Sequence, residues 1–399
     1  MKQYDIIIIG SGISGMSLAH YCRKKGQQVL VLEKNKRLGG AFHTHRFGHD
    51  DSTDFWLELG AHTCYNSYTH LLGIVEDCDL MSSLIPRQKV PFRMLVENKL
   101  QSVTSQLSFA ELFFSLPKLF GAKKSGKTVE AYYSNFLGKK NYANTLRYFF
   151  NAVPSQEAGE FPAEMLFKKR ERRKDIVKSY TFKQGLQSIT EAIRIQDGIE
   201  VLSEQDVAEI QLENQLYQVK TKEGDCFQAT YVALATPTQQ AANLVQSLNP
   251  KLAEVLASIK AEKVETLGVA VSRDLLPLEP VAGIVPKQDQ FYSAVSRDTV
   301  AHETYRGFAF HFRQGALDQS GKLQRISKAL QIDPTLLDQV VTKENLVTSP
   351  RLGHEQKVEE IEGLIANQRL LVTGNFFKGI SIEDCVIRSF LEAARMERL

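Results

Sequence analysis

The feature that most constrains this chain is a glycine-rich turn near its N-terminus, between a predicted strand and a predicted helix. Residues 4–9 form a β-branched apolar run, typical of a parallel strand buried on both faces. Gly10, Gly12 and Gly15 follow as G-x-G-x-x-G, and residues 16–25 predict a helix. Such glycines permit a tight turn, let a pyrophosphate approach the backbone and let the helix pack on the strand. The order predicts dinucleotide binding, with phosphates at the helix N-terminus.

An acidic residue in the expected place supports this interpretation. A second apolar strand, predicted over residues 28–32, ends at Glu33, eighteen residues after Gly15. A carboxylate there can accept hydrogen bonds from ribose hydroxyls and would repel a 2′-phosphate. These residues alone leave open which dinucleotide binds.

The residues after Glu33 carry a family resemblance. Residues 33–40, EKNKRLGG, resemble the E-x(3)-R-x-G-G extension of the superfamily of FAD-dependent amine oxidases, protoporphyrinogen oxidases and phytoene desaturases, which NAD-binding domains generally lack. The resemblance implies FAD as the cofactor, with Arg37, Gly39 and Gly40 at its diphosphate and ribityl part, where a guanidinium pairs well with phosphate. Ala41 stands where the superfamily often has a further Arg, so one contact is missing or supplied from elsewhere.

Further segments resemble the same superfamily. Residues 58–62, ELGAH, resemble a segment that brings backbone close to the isoalloxazine ring, which suits small residues. Val207 matches a valine whose backbone contacts adenine, and residues 233–237, ALATP, resemble a strand end near the cofactor. Residues 370–386 look like the G-N-x(3)-G-v-x-v-x-D-C signature of protoporphyrinogen oxidases, with a helix expected from about Ile382. The N-terminal N–H groups of that helix could face the flavin.

The FAD contacts that the resemblance implies are spread over the chain. They are Gly10, Ser11, Gly12, Ile13, Ser14, Gly15, Glu33, Lys34, Arg37, Gly39, Gly40, Ala41, Gly60, Ala61, His62, Val207, Thr236, Gly374, Asn375, Gly379, Ile380 and Ser381.

The resemblance, closest to protoporphyrinogen oxidase, implies an α/β fold. It consists of a two-dinucleotide-binding-domain, Rossmann-like FAD fold with an inserted mixed-sheet substrate domain and a helical cap. The expected segments are 1–85, 181–243 and 365–399 for FAD binding, 86–107 and 244–364 for the substrate domain, and 108–180 for the cap.

Two features of the cap are ambiguous from sequence. Residues 109–120, FAELFFSLPKLF, are apolar and are followed by lysines, a pattern that fits either membrane contact or, more readily, a helix packed into the core. The basic cluster in residues 168–174 could attract propionates or anionic lipids, or be a solvated helix face.

Candidate catalytic groups are few, because the cofactor carries the chemistry. His62 and His311 are candidates for the flavin face, and His62 is equally a candidate for a hydrogen-bonded structural histidine. Alternation in residues 307–312 places three phenylalanines on one strand face and His311 on the other. The sequence indicates no metal site.

The expected function is hydride removal from a small organic molecule, lipophilic or a tetrapyrrole, with oxygen or another acceptor reoxidising FAD. Alternatives are amine oxidation, for which Tyr292, Tyr305 and Phe376 offer aromatic groups, desaturation of a lipophilic substrate, a redox-neutral UDP-sugar mutase reaction, and a non-catalytic FAD-binding scaffold. A net charge of +3 argues against nucleic-acid binding. Five scattered cysteines suggest a reducing, cytoplasmic location, with peripheral membrane contact left open.

Overall fold

The computed structural model describes residues 3–48, 55–337 and 339–399. Its strands are β1 Gln3–Ile9, β2 Val29–Leu32, β3 Thr44–Arg46, β4 Trp56–Glu58, β5 Cys64–Tyr65, β6 Leu84–Pro86, β7 Phe92–Val96, β8 Lys99–Ser102, β9 Ser179–Phe182, β10 Ile199–Leu202, β11 Val207–Glu213, β12 Leu216–Thr221, β13 Cys226–Leu234, β14 Ala261–Ser272, β15 Gly283–Pro286, β16 Phe291–Ser296, β17 Tyr305–Arg313, β18 Gln339–Thr348 and β19 Leu370–Val372.

The α-helices range from one short turn to fifteen residues. They are α1 Ile13–Lys24, α2 Thr69–Asp77, α3 Phe109–Ser115, α4 Val129–Leu137, α5 Lys139–Asn141, α6 Arg147–Ala152, α7 Gln187–Arg194, α8 Thr238–Val245, α9 Pro250–Ala257, α10 Gln319–Leu330, α11 His354–Ile365 and α12 Ile382–Met396, with a π-helical turn over Tyr142–Leu146 between α5 and α6.

The first sheet has the order β10-β2-β1-β13-β12-β11, and β19 also pairs with β13. Its β10, β2, β1, β13 and β19 are parallel, whereas β11, β12 and β13 form an antiparallel meander. Alternate residues of β1 enter separate cores: Ile7 and Ile9 pack towards α8, α9 and α11, and Ile6 and Ile8 towards α1, α2, α7 and α12. The five parallel strands are covered by helices on both faces, and this arrangement confirms the Rossmann-like α/β prediction.

The second sheet has the order β18-β14-β17-β16-β15-β7-β8 and is mixed, because β15 and β7 pair in parallel. Phe308, Phe310 and Phe312 of β17 pack in one core with α10. His311 faces the opposite side of the sheet, where it contacts His62. The predicted alternation of β17 is confirmed, and it turns one histidine towards the first sheet.

Each sheet collects strands from separated parts of the chain, which is the basis for dividing it into domains. The core between the first sheet and its helices includes α9 and α11, because Leu252, Leu256, Val358 and Ile361 are buried there. We therefore propose that the FAD-binding part takes in these two helices, beyond the expected limits at 243 and 365. The expected domain boundaries at residues 85, 107 and 180 remain proposals.

The helical cap is shorter than expected for residues 108–180. Helices end at Ala152, and the rest as far as Lys178 is irregular apart from a 3₁₀ turn at Ala163–Met165. Pro154 and Pro162 cannot donate to a helical ladder, and the following basic run adds repulsion. The solvated helix face expected for residues 168–174 is therefore wrong.

The core packing favoured for residues 109–120 is also wrong. The phenylalanines at 109, 113, 114 and 120 are 62%, 74%, 76% and 90% exposed, and Leu116 and Leu119 are nearly half exposed. In α3 itself only Ser115 is buried. These six apolar side chains, with Lys118 and Lys123 exposed beside them, form what we call the apolar cap face.

Candidate flavin site and substrate cleft

The glycine turn is packed so tightly that side chains are excluded at two of its three glycines. A Cβ at Gly10, where φ is +106°, would lie 2.7 Å from the carbonyl oxygen of Ala235, and one at Gly15 would lie 1.9 Å from that of Gly10. Gly12 forms a parallel bridge with Gly39 and ends the turn as the N-cap of α1. Within the described part of the chain no side chain caps this helix, so its first N–H groups are available to an anion.

Glu33 lies at the end of β2 and is 7% exposed. Its Oε2 accepts from the N–H and Oγ of Ser11 at 3.1 and 2.8 Å, and its Oε1 accepts from the N–H and Nδ2 of Asn35 at 3.0 and 2.7 Å. The carboxylate thus joins the glycine turn to the end of β2. A ribose hydroxyl would bond there by replacing one of the two side-chain donors.

Arg37 holds the loop around Gly39 and Gly40 in shape. Its guanidinium donates to the carbonyl oxygens of Phe42 at 2.9 Å and Gly40 at 2.7 Å. The same Gly40 oxygen accepts from Lys343 Nζ of β18 at 2.9 Å. Burial, then the charge of Arg37, lowers the pKa of Lys343 to about 7. The neighbouring Lys34 and Ala41 are exposed.

The residues of the glycine turn and its surroundings fit FAD. Gly12 faces Gly40 so closely that a Cβ at Gly40 would lie 3.0 Å from the Cα of Gly12, which leaves a backbone cradle. Thr236, at the end of β13, has a buried Oγ1 with no partner among the described residues. Gln205 lies two residues before Val207, donates its N–H to Glu33 O at 2.9 Å and leaves its Oε1 buried without a described partner. Unpaired buried polar atoms in these places point to a polar ligand.

The C-terminal motif forms a strand, a turn and a helix, as expected. Ser381 is the N-cap of α12 in a capping box with Asp384, so the helix begins at Ile382 as predicted. Ser389 of α12 donates to the carbonyl oxygen of Ser14, and this bond connects α12 to α1 beside the buried Ile13. Ile380 packs against the cap.

The glycines of this motif serve close packing. A Cβ at Gly374 would lie 2.4 Å from the ring of Phe376, and one at Gly379 would lie 2.3 Å from Asp384. The Oδ1 of Asn375 accepts from Thr348 Oγ1 at 2.8 Å. These contacts account for both glycines without any ligand.

Residues 58–62 connect the cradle to the second sheet. A Cβ at Gly60 would lie 2.2 Å from the oxygen of Ala41, which also accepts the N–H of Ala61 at 2.9 Å. His62 then reaches the second sheet, where its Nε2 lies 3.1 Å from His311 Nε2. The structure thus brings together the two candidate histidines, 249 residues apart in sequence.

The histidine pair belongs to a polar chain in which His311 and Thr266 are buried and the outer members are partly buried. His311 Nδ1 lies 2.9 Å from Thr266 Oγ1, which accepts from Asn345 Nδ2 at 2.9 Å. Burial is the largest cause that lowers the pKa of His62 well below its usual value and that of His311 to about 4. Both imidazoles are therefore neutral near pH 7, and a hydrogen bond between the two Nε2 atoms requires that one of them carries the N–H and the other accepts it.

A cleft lies beside His62 and contains about 310 Å³ of space, part of it open to solvent. Its charged lining consists of Glu58, Arg87 and Arg297. Burial raises the pKa of Glu58 to about 7, although its carboxylate accepts from Leu186 N at 2.7 Å and from Thr44 Oγ1 at 3.0 Å. Burial lowers the pKa of Arg297 to about 10. We call this space the arginine cleft.

Sequence reasoning missed both arginines of the cleft and the polar residues of β18. Lys343 and Asn345 are two residues apart on one face of β18, and that alternation was the signal that could have indicated them. Arg87 follows β6 and Arg297 follows β16 directly. No local pattern indicates that two such positions meet.

The family follows from comparison with known proteins. The chain belongs to the flavin containing amine oxidoreductases, whose family model matches residues 13–313. FAD is the cofactor of this chain, in agreement with the glycine cradle.

Among curated proteins, the flavin-dependent L-tryptophan oxidase RebO of Lentzea aerocolonigenes is 38% identical over 79 residues, 20% of this chain and 16% of that protein. UDP-galactopyranose mutase of Mycoplasma pneumoniae is 29% identical over 131 residues, 29% of this chain and 32% of that protein. These matches cover less than a third of either relative.

Among solved structures, a protein of Exiguobacterium sp. 255-15, provisionally assigned as a protoporphyrinogen oxidase, superposes with a TM-score of 0.80. The match covers 100% of this chain and 99% of that one at 17% identity, so it establishes the fold alone.

Proposed function

We propose that this protein is an FAD-dependent oxidoreductase that removes hydride from a small organic substrate, with a porphyrinogen as the leading substrate class. The observation that carries the proposal is the path of residues 58–62, which connects the glycine cradle with a pair of histidines, one of them buried, and with a charged cleft. FAD, when bound, supplies the hydride acceptor, and oxygen or another acceptor removes the electrons afterwards. The protein has to orient the substrate, exclude water and take up a proton.

The histidine pair is suited to moving that proton. Two neutral imidazoles 3.1 Å apart share one N–H, and Thr266 can donate to His311 Nδ1 because it accepts from Asn345. In that arrangement His311 Nε2 carries the N–H and His62 Nε2 accepts it. Since burial disfavours a charged imidazole, the pair would pass a proton on and would not keep it.

Amine oxidation is the second candidate, favoured by Lys343 beside Gly40, because the superfamily commonly has a lysine near the flavin. The aromatic groups weigh against it. Tyr292 contacts Arg313, Tyr305 contacts Phe55, and Phe376 is buried against Phe377. Among the described ring contacts, none joins any two of the three candidate rings.

The test is anaerobic reduction of the bound flavin. The purified protein would be mixed with protoporphyrinogen IX, coproporphyrinogen III, cyclohexylamine or L-tryptophan, and bleaching of the visible flavin band would be followed. Bleaching by a porphyrinogen supports the leading proposal, and bleaching by an amine or amino acid alone replaces it with the second. A flavin that none of them bleaches would overturn the leading proposal in favour of another lipophilic donor, the mutase-like reaction or a scaffold. Turnover of UDP-galactopyranose would then identify the mutase-like reaction.

We also propose that the apolar cap face contacts anionic membranes. Four exposed phenylalanines would enter the interface, and neighbouring lysines such as Lys118 and Lys123 would meet lipid headgroups. Among the described residues, no helix is both long and apolar enough to cross a bilayer. Contact would therefore be peripheral.

Co-sedimentation with vesicles tests the membrane proposal. Binding to vesicles of phosphatidylcholine with phosphatidylserine should exceed binding to phosphatidylcholine alone. The variant Phe113→Ser/Phe114→Ser should weaken it, whereas Leu212→Ser, at a similarly exposed residue of β11, should not. Equal binding of both variants would contradict a role for this face.

A further inference from the structure

The arginine cleft has an excess of positive charge from one buried and one partly buried arginine. Arg87 and Arg297 both line it, and neither has a carboxylate within 4 Å among the residues that the structure describes. Arg297 is 91% buried, since its exposed fraction is 9%. Buried guanidinium groups are normally paired, because desolvating an uncompensated charge is costly.

The hydrogen bonds of the two arginines leave donors free for a ligand. Arg297 donates from Nη1 to Val300 O at 2.6 Å, whereas its Nε is buried with no partner in the described part of the chain. Arg87 donates from Nε to Thr299 Oγ1 at 3.1 Å and from Nη1 to His62 O at 3.4 Å. Thr181, also in the lining, has a buried Oγ1 without a described partner.

Glu58 does not neutralise this cleft. Its oxygens already accept from Thr44 and Leu186, and it lies beyond ion-pair distance of either arginine. Its single negative charge, moreover, would balance only one of the two guanidinium groups. The Arg297 guanidinium instead lies over the ring of Trp56, 4.5 Å from its centroid. This contact holds the planar guanidinium group in one orientation.

We propose that the arginine cleft binds a carboxylate group of the substrate, with Arg297, Arg87 and Thr181 as donors. A planar guanidinium with a free edge matches the two oxygens of a carboxylate. His62 lines the same cleft, so an anchored carboxylate would fix the rest of the substrate relative to the histidine pair. This inference rests on the proposed function in that the bound group is taken to belong to the oxidised substrate.

The only tryptophan of the chain is in the cleft, so its fluorescence reports binding directly. The flavin-loaded protein would be titrated with 3-phenylpropanoate and with 3-phenylpropanamide, which has nearly the same shape and no charge. We expect the acid to bind roughly tenfold to a hundredfold more tightly than the amide, as hydrogen bonds to charged groups allow. Equal affinities would overturn the proposal.

Variants assign the effect to the cleft. Arg297→Gln should remove most of the preference for the acid. Arg297→Lys should keep only part of the preference, because lysine retains the charge but lacks the planar pair of N–H donors. Arg273→Gln, at an exposed arginine of the same domain, is the matched control and should leave the preference unchanged. If Arg297→Gln fails to fold, Arg87→Gln gives the same test, and an undiminished preference in whichever variant folds would contradict the assignment.

Competition identifies the source of the carboxylate. Displacement of the acid by coproporphyrin III, followed by calorimetry, would indicate a tetrapyrrole propionate, and displacement by L-phenylalanine would indicate an amino acid. If neither displaces it, the cleft is not a substrate site and the inference is wrong. Because these titrations need no turnover, a failed flavin reduction would refute the proposed function separately.

Discussion

The glycine cradle and the arginine cleft are connected by the loop of residues 58–62, yet they are built in different ways. The cradle consists of backbone from the strand, turn and helix at the N-terminus and from the loop at Gly39 and Gly40, and a Cβ at Gly10 or Gly15 would clash with main-chain atoms. The cleft consists of side chains from β4, β9 and β16 and from the segments that follow β4, β6 and β16. Backbone packing excludes a side chain at Gly10 and Gly15, whereas the side chains of the cleft can be replaced one at a time.

The largest effect is expected in the cradle. Gly15→Ala would place a Cβ 1.9 Å from the oxygen of Gly10, so either β1 or α1 has to move. We expect loss of bound flavin and a strong decrease of the melting temperature, measured from the flavin-to-protein absorbance ratio and by calorimetry. Gly73→Ala in α2, where nothing lies within 4 Å, should retain flavin and stabilise the helix by about 0.5–1 kcal/mol. A Gly15→Ala protein with full flavin would contradict the backbone explanation.

The same contrast explains what sequence could predict. Residues 4–33 predicted the strand, the turn, the helix and the acidic residue, because each of these features depends on spacing within one short segment of the chain. The meeting of His62 with His311 was not predictable, because it depends on how the second sheet is placed over the loop at Gly60. The exposure of Phe113 and Phe114 was not predictable for a related reason, because an apolar run does not indicate whether another part of the protein covers it.

The next largest effect is expected at the histidine pair. His311→Phe removes the partner of His62 and of Thr266, and we expect flavin reduction to slow by about a hundredfold, within the usual range for general acid–base groups. Flavin content should not change, because the cradle does not include His311. Stopped-flow reduction by the substrate that bleaches the flavin measures the rate.

A double-mutant comparison separates a shared role from two independent ones. If the histidines act as a pair, His62→Asn/His311→Phe should be hardly slower than His311→Phe alone. Effects that multiply would instead show that the two imidazoles act independently.

A smaller effect is expected at Glu58, where the substitution should stabilise the protein and not impair it. Burial raises its pKa to about 7 in the folded protein from an ordinary value of 4.5, so the folded state binds more protons between these pH values. The wild-type protein therefore loses stability as pH rises from 4.5 to 7, and Glu58→Gln does not. We expect the variant to gain about 1–2 kcal/mol relative to wild type between pH 5 and pH 8. Melting curves at both pH values measure this, and a pH-independent difference would count against a buried charge.

The smallest effect is expected at Lys343, where cradle and second sheet meet. Its pKa is lowered to about 7 in the folded protein from 10.5, chiefly by burial, so the charged form is disfavoured by folding. Wild-type stability should therefore rise with pH from about 7 towards 10, and Lys343→Met should remove that rise. The variant's advantage should be largest near pH 6 and shrink by pH 9, opposite in direction to Glu58→Gln. The effect should be smaller than at Glu58 because Lys343 is only half-buried. The same pH trend in both variants would contradict the assignment of a disfavoured negative charge to Glu58 in the cleft and a disfavoured positive charge to Lys343 beside the cradle.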